Sequence, residues 1–421
     1  MNSWFFDVIV IGAGQAGLSM GYYLKKLGLT FIIFEKGKIG DTWRNQRWDS
    51  FKLNTPNKVN FLSGKEKAFP DDEGFCSSSD FVSYLEDYSK DLQLPVIEDS
   101  RVLSVENSSR HGIFSTYVTE KGSVRNYLSR QIVIASGAQN IKSIPSFSKD
   151  ISADIYQLHT CDYRNPSLLP EGAVLVVGSA QSGVQIAEDL LENGRKVFIS
   201  TSQVSRFPRR FRGKDIVDWL ILSGFFDYRT ADITDSKTLT MKQPQISNMG
   251  PRGHTLSLQG LARDGAVILG KTENTSDGTV FLKPDAADNI RFADDSSIRI
   301  KKMIDEFILK SQIYAPSAED DLDDEPDEDA RCASTCTSMN LKKNKIGTII
   351  WATGFKGDFS YLKLPVFSNG GEIEHHDGIS NLEGLFFLGN PWLRKRKSGI
   401  ILGINEDAEF IANKISSCYN A

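Results

Sequence analysis

Gly12, Gly14 and Gly17 follow the apolar run Val8 to Ile11 at the spacing G-x-G-x-x-G. In such a unit the first glycine permits a tight turn, the second lets backbone amides approach a pyrophosphate, and the third lets the next helix pack close to the strand. The phosphates then meet the positive helix end around Gln15 and Ala16. The stretch Asp7 to Glu35 completes the unit, because Leu18, Tyr22, Leu24 and Leu27 keep helical spacing, Gly28 is a good C-cap, and Phe31 to Phe34 reads as a second strand. Glu35 closes that strand twenty-three residues after Gly12, beside Lys36. A carboxylate there accepts from ribose hydroxyls and repels a 2'-phosphate, so this site is expected to take FAD or NAD.

Val174 to Ser202 repeats the unit. Adding 166 maps Gly12 onto Gly178, Gly17 onto Gly183, Gly28 onto Gly194 and Glu35 onto Thr201. Gly14 becomes Ala180, followed by Gln181 and Ser182, and the terminal acid becomes Thr201 between Ser200 and Ser202. Arg206, Arg209 and Arg210 come next. Hydroxyls and guanidinium groups in place of a carboxylate suit a 2'-phosphate, so the second site is expected to take NADPH, with Arg206 a contact. A hydride donor and a hydride acceptor in one chain imply a flavin-dependent oxidoreductase.

These loops require an α/β fold of two Rossmann-like dinucleotide-binding domains. Residues 1–165 and 341–421 are expected to form an interrupted FAD domain, with the NADPH domain inserted at 166–340. Gln131 to Gly137 (QIVIASG) and Thr348 to Phe355 (TIIWATGF) both read as buried strands ending in glycine turns, which brings Ala135, Gly137, Ala352, Thr353 and Gly354 to the cofactors. Leu385 to Asn390 is a last strand carrying Gly389, and Ser398 with Gly399 is expected to begin a helix aimed at the electron-rich edge of a flavin. The loop after Glu35 places Trp43, Arg44, Arg47 and Trp48 within six positions, a composition suited to covering a ligand. Phe81 to Leu92 is an amphipathic helix capped by Ser79 or Asp80, Arg101 to Glu120 alternates like paired strands, and Gly265 to Phe281 suggests a hairpin. Asp215 to Phe225 reads as an apolar helix and a candidate lid. Glu319 to Asp329 holds nine acids in eleven residues and is expected to be a solvated, mobile linker.

A chain of 421 residues with net charge −5 points to two cores and away from nucleic-acid binding. No apolar run is long enough to span a membrane, and the first strand starts too early for a signal peptide, so the cytoplasm is expected. The scattered cysteines (Cys76, Cys161, Cys332, Cys336, Cys418) suit a reducing compartment. Cys332 and Cys336 with His375 and His376 fit no common zinc spacing, and no metal is expected.

GAGQAG with Glu35, GSAQSG, GDTWRNQRWDSFKLNTP, HTCDYRNPS, WATGF and FFLGNPWLRKRKSGIILGINEDA together resemble the bacterial flavin-containing monooxygenase-like flavoproteins. The resemblance implies FAD at the first loop, NADPH at the second, and an active-site asparagine at Asn54, which would orient the nicotinamide or bond the oxygenated flavin. It also implies that dioxygen adds at the flavin C4a and that the oxygen passes to an amine nitrogen or a sulfur of a small molecule. Ketone oxygenation ranks second, since that branch usually has Trp at the position of Tyr163. The family's linker fingerprint is matched at His159 and Tyr163 but not at Ala153 and Ile155. An oxidase releasing hydrogen peroxide, a disulfide reductase using Cys332 and Cys336, and a non-catalytic flavin protein are the rival readings; a homodimer is a family expectation.

Overall fold

The computed structural model describes residues 4–250 and 252–417; Met1 to Ser3 and Cys418 lie outside them. The chain opens with β1 (Trp4–Ile11), α1 (Gln15–Lys26) and β2 (Phe31–Phe34). Alternate residues of β1 enter two separate cores: Val8 and Val10 pack on one face of the sheet, Ile9 and Ile11 on the other. A strand covered on both faces must be apolar throughout, which is why the run shows no alternation.

Helix α2 (Ser78–Asp91) is capped by Ser77, two residues before Ser79 and three before Asp80, the caps expected. The Ser77 hydroxyl accepts from the Asp80 amide while the Asp80 carboxylate accepts from the Ser77 amide, a capping box in which Asp80 is the reciprocal partner and Ser79 has no capping part. Strands Arg101–Asn107 and Phe114–Glu120 pair antiparallel, and the second continues onto β3 (Ser123–Ile134). The far half of β3 lies parallel to β1, with Ile134 opposite Ile11.

The second sheet is built from β4 (Tyr156–His159), β5 (Ala173–Val177), then after α3 (Gln181–Glu192) from β6 (Val197–Ser200). Helix α4 (Ile216–Leu222), strand β7 (Val267–Leu269), the 26-residue α5 (Ala286–Ser311) and β8 (Ile346–Trp351) follow. The chain returns to the first sheet with β9 (Leu385–Phe387) and ends in α6 (Ile401–Ser417), which packs on α1. In the first sheet β9-β3-β1-β2 and then Val96–Ile97 run parallel, and Ile379–Ser380 followed by His375–His376 extends it antiparallel beyond β9. The second runs β7-β6-β5-β8-β4, also parallel.

Two strands fall across the boundaries expected at 165 and 340. β4 and β8 belong by hydrogen bonding to the second sheet, where Ile350 lies opposite both Leu158 and Val176. The hairpin expected over Gly265 to Phe281 is displaced: Val267–Leu269 is a parallel edge strand, and the antiparallel pair is Thr272–Ser276 with Thr279–Leu282. Helix α4 is less a lid than an anchor. Its Asp215 cap accepts from Val217 N, and Trp219 is fully buried among Ile246, Ile300 and Ile304.

The acidic run is not a free linker. Asp324 is buried, and its carboxylate takes the Arg206 guanidinium, the Ser297 hydroxyl and Lys301 Nζ at 2.6 Å. Arg206 also pairs with Asp294 at 2.6 Å, and Asp294 in turn accepts from Asp327 N at 3.0 Å. The run is thus strapped across α5 by one buried cluster of charges.

Candidate functional site

Both glycine loops lie at the carboxyl ends of parallel strands, where α/β sheets bind ligands. Gly12 (φ +107°) lies so close to β3 that a Cβ would stand 2.5 Å from Ala135 O, and a Cβ on Gly17 would stand 1.8 Å from Gly12 O. Gly14 differs: nothing lies within 4 Å of its Cβ position, and it begins α1 without any side-chain cap. The loop therefore spends two glycines on packing and leaves open space before an uncapped helix end, as a diphosphate requires.

Glu35 is buried at the tip of β2. One carboxylate oxygen accepts from Ala13 N at 2.8 Å and the other from Gly37 N at 3.0 Å. Burial pushes its carboxyl above the usual range, only partly countered by those two bonds. A carboxylate has about four acceptor positions, so it can pin the loop and still receive ribose hydroxyls.

Close to the first loop, Asn390 supplies an unexpected observation. It is 7% exposed, and neither its Oδ1 nor its Nδ2 has a hydrogen-bond partner. Its neighbour Gly389 is so close to α1 that a Cβ would stand 2.7 Å from the Ala16 Cβ. A buried amide with both ends unmet is costly unless a ligand meets it. The residues fit a flavin dinucleotide, and FFLGN carried the signal, read at Gly389 and missed at Asn390. Asn390→Ala is expected to leave the fold intact and to weaken FAD retention about tenfold, a loss of about 1.4 kcal/mol. Flavin-to-protein absorbance after dialysis measures it.

The second loop repeats the geometry. A Cβ on Gly178 (φ +114°) would stand 2.4 Å from Ala352 O, and one on Gly183 2.0 Å from Gly178 O. Ala135 and Ala352 are therefore equivalent neighbours of the two first glycines. Ala180 begins α3 in extended backbone, again with no side-chain cap, so the helix end at Gln181 and Ser182 is available to a second diphosphate. Thr353 is turned away, its hydroxyl donating to Ser143 O.

The expected 2'-phosphate contacts need correction. Ser200 Oγ donates to Gly270 O at 2.9 Å and Thr201 Oγ1 to Leu269 O at 2.7 Å, so both hydroxyls are spent inside the domain. Arg206 is fully buried between Asp294 and Asp324, and Arg209 pairs with Asp215 at 2.5 Å. Two buried acids outcompete a surface ligand for a guanidinium. Ser202 keeps its hydroxyl facing outward, where Lys242 Nζ donates to it at 2.8 Å. Burial of that ammonium and the charge of Lys271 pull the Lys242 pKa below the usual lysine value. Lys242 went unnoticed because it stands forty residues from Ser202 in a stretch without periodicity.

The loop after Glu35 divides in two. Trp43 Nε1 donates to Gln15 Oε1 at 2.9 Å, tying it to the first glycine loop. Arg44 turns outward to Glu86 at 2.6 Å, and Trp48 is buried against Phe51, with ring centroids 5.0 Å apart. These two are structural instead of the ligand contacts expected, and Lys36 is exposed with no placement that singles it out. Arg47 lies over Trp43 at 4.9 Å and Phe51 at 5.3 Å, and burial lowers it to about 10.

Asn54 joins the two halves. Its Oδ1 accepts from Gln185 Nε2 of α3 at 3.0 Å and from Asn248 Nδ2, while its carbonyl accepts from Arg209 Nη1 at 3.1 Å. Tyr163 donates to Asp189 of α3 at 2.5 Å, and Ser50 donates to the other oxygen of Asp189 at 2.8 Å. His159 is buried edge-on to Phe355, with Nε2 3.0 Å from Gly354 O. Of the fingerprint residues, Tyr163 thus meets Ser50 through the shared Asp189 carboxylate, while His159 packs beside the end of β8. Ser398 and Gly399 precede α6 instead of starting it: the Ser398 hydroxyl turns back to accept from Arg394 N at 3.2 Å and Lys395 N at 3.1 Å. Cys332 and Cys336 make no disulfide; Cys332 Sγ bonds Asp327 at 3.1 Å and Cys336 Sγ bonds Ser338 O at 2.6 Å. Among the described residues no helix is long and apolar enough to cross a membrane.

Residues 9–221 match the family model described as pyridine nucleotide-disulphide oxidoreductase. The chain is 32% identical over 418 residues to an uncharacterised CzcO-like oxidoreductase of Geobacillus kaustophilus, covering 97% of this chain and 98% of that one. It is 29% identical over 221 residues, half of each chain, to a protein of Arabidopsis thaliana named Probable indole-3-pyruvate monooxygenase YUCCA3. Among solved structures, a flavin-containing monooxygenase from Stenotrophomonas maltophilia superposes with TM-score 0.64 at 19% identity, covering 99% of this chain and 100% of that one.

Proposed function

From the membership of this chain in the pyridine nucleotide-disulphide oxidoreductase family, we propose that it is an FAD- and NADPH-dependent monooxygenase transferring one oxygen atom of dioxygen to an amine nitrogen or thioether sulfur of a small molecule. The observation that carries this reading is the pair of matching uncapped glycine loops with the Asn54 amide bonded between their domains. The cysteines favour it over disulfide reduction, since the only two close in sequence bond separate acceptors.

FAD, when bound, supplies the redox chemistry, receiving hydride from NADPH and passing electrons to dioxygen. The protein's part is binding, orientation and exclusion of water. Gly14, Glu35 and Asn390 would hold the flavin dinucleotide, and the α3 N-terminus with Ser202 and Lys242 would hold NADPH. With its Oδ1 engaged by Gln185 and Asn248, Asn54 keeps Nδ2 as the donor available at the joint. The segment after α4 closes over the C-terminal loop: Thr230 N donates to Arg394 O at 2.9 Å, and Arg229 bridges Lys395. Such a cover excludes water from a reactive site.

Incubation with NADPH, isotopically labelled dioxygen and a panel of amines, thioethers and ketones tests the proposal. One labelled oxygen in an N- or S-oxide is the expected result. Stoichiometric hydrogen peroxide with every panel member left unoxidised would replace it with an oxidase. Lys242→Ala is expected to raise KM for NADPH about tenfold while leaving KM for NADH within about twofold, the loss of one charge-assisted contact. Steady-state kinetics with both donors decides whether Lys242 reads the 2'-phosphate.

A further inference from the structure

Arg394, Lys395, Arg396 and Lys397 are four consecutive cations in the turn before α6, and three of them are neutralised. Arg394 Nη1 lies 3.2 Å from Asp407, Lys395 Nζ lies 2.6 Å from Glu406, and Lys397 Nζ lies 2.8 Å from Asp227. Arg396 has no carboxylate partner among the described residues, and its Nε is buried without a hydrogen bond. Its guanidinium lies 4.2 Å from the ring centre of Phe225 and 4.9 Å from that of Trp392.

The position is built from both halves of the chain. Arg396 N donates to Tyr228 O at 2.9 Å, and Thr230 Oγ1 donates to Trp392 O at 2.9 Å, so the segment after α4 and the C-terminal loop hold the side chain jointly. Trp392 adopts a left-handed backbone (φ +58°), a conformation costly for a large residue, which presents its ring to the arginine. The same loop carries the unmet Asn390 amide six residues earlier and Ser398 two residues later.

Removing water from a guanidinium without supplying a counter-ion is unfavourable, and aromatic stacking offsets only part of that. Burial accordingly lowers the Arg396 pKa, opposed by the Tyr228 phenol and by no carboxylate. The planar fork is the side chain best matched to two carboxylate oxygens. Phe225 and Trp392 add an apolar wall beside it.

We infer that Arg396 is the recognition group for a carboxylate on the substrate, and that the substrate is therefore an apolar or aromatic acid carrying the oxidisable atom. This rests on the monooxygenase reading for the fate of that atom, but not for the binding. The experiment titrates the flavin-loaded enzyme with phenylacetate and with neutral phenylacetamide, following flavin absorbance and tryptophan fluorescence. Wild type, Arg396→Gln and Arg396→Lys are compared, and turnover of (phenylthio)acetate is set against that of thioanisole.

Phenylacetate is expected to bind at least about tenfold more tightly than phenylacetamide, to lose that margin in Arg396→Gln and to recover part of it in Arg396→Lys. KM for (phenylthio)acetate is expected to rise about tenfold in Arg396→Gln with little change in kcat, while thioanisole kinetics stay the same. Equal affinity for acid and amide, or an unchanged phenylacetate affinity in Arg396→Gln, overturns the inference even if both thioethers are oxidised. Arg396-dependent phenylacetate binding without oxidation of either thioether supports it while removing the proposed reaction.

Discussion

Gly17→Ala is expected to give a colourless protein, and Gly183→Ala a yellow one that NADPH no longer reduces. The two substitutions create the same fault at corresponding positions, a methyl group 1.8 Å from Gly12 O in one loop and 2.0 Å from Gly178 O in the other. Neither neighbour is a flexible side chain; each is backbone carbonyl at the turn that brings the helix end to the phosphates. The helix must move away, straining the turn by about 1–3 kcal/mol or more and withdrawing the amides from the ligand. On the proposed assignment of FAD to the first loop and NADPH to the second, the losses separate. Flavin absorbance reads the first and anaerobic reduction by NADPH against dithionite reads the second. A Gly183→Ala protein that lost its colour, beside a Gly17→Ala protein that kept its flavin but was no longer reduced by NADPH, would reverse the assignment of the two sites.

Arg206→Met is expected to cost stability without changing donor preference. Arg206 is wholly enclosed and serves two buried acids, Asp294 from α5 and Asp324 from the acidic run, in a cluster completed by Lys301. Removing one partner of a buried ion pair leaves uncompensated charge and typically costs about 3–5 kcal/mol. The variant should unfold several degrees earlier. Thermal unfolding checks the first part, and the ratio of NADPH to NADH kinetics checks the second. A preference shifted toward NADH would return Arg206 to the cofactor.

That arginine marks the limit of what the residues disclosed. The two nucleotide units were legible because their physics is local: strand, glycines and helix lie within thirty residues, and the offset of 166 carries Gly12 onto Gly178 and Gly17 onto Gly183, whose close approaches match in the structure. Arg206 was misread because its partner Asp324 is 118 positions away, in a run whose composition alone suggests a solvated chain. Helix α5 was passed over for a related reason. Its buried face carries Asn289, Asp294, Ser296 and Ser297 among the aliphatics, which blurs the apolar stripe that periodicity seeks. Lys242 and Arg396 were invisible as sites because a cation acquires meaning only from the acids that do or do not fold against it.

The pairing of β4 with β8 also bears on how this protein can be taken apart. The two strands lie side by side in parallel, from Tyr156 opposite Thr348 to His159 opposite Trp351. They are the first and last strands that the inserted half contributes to its own sheet. A fragment cut at 166 and 340 would lack both and expose the flank of β5. One cut near 155 and 352 would keep all five strands; because the two strands are parallel, excising it would leave one end beside Tyr156 and the other beside Trp351, at opposite ends of the pair, so a linker that makes the remaining half a continuous chain must span the length of that pair.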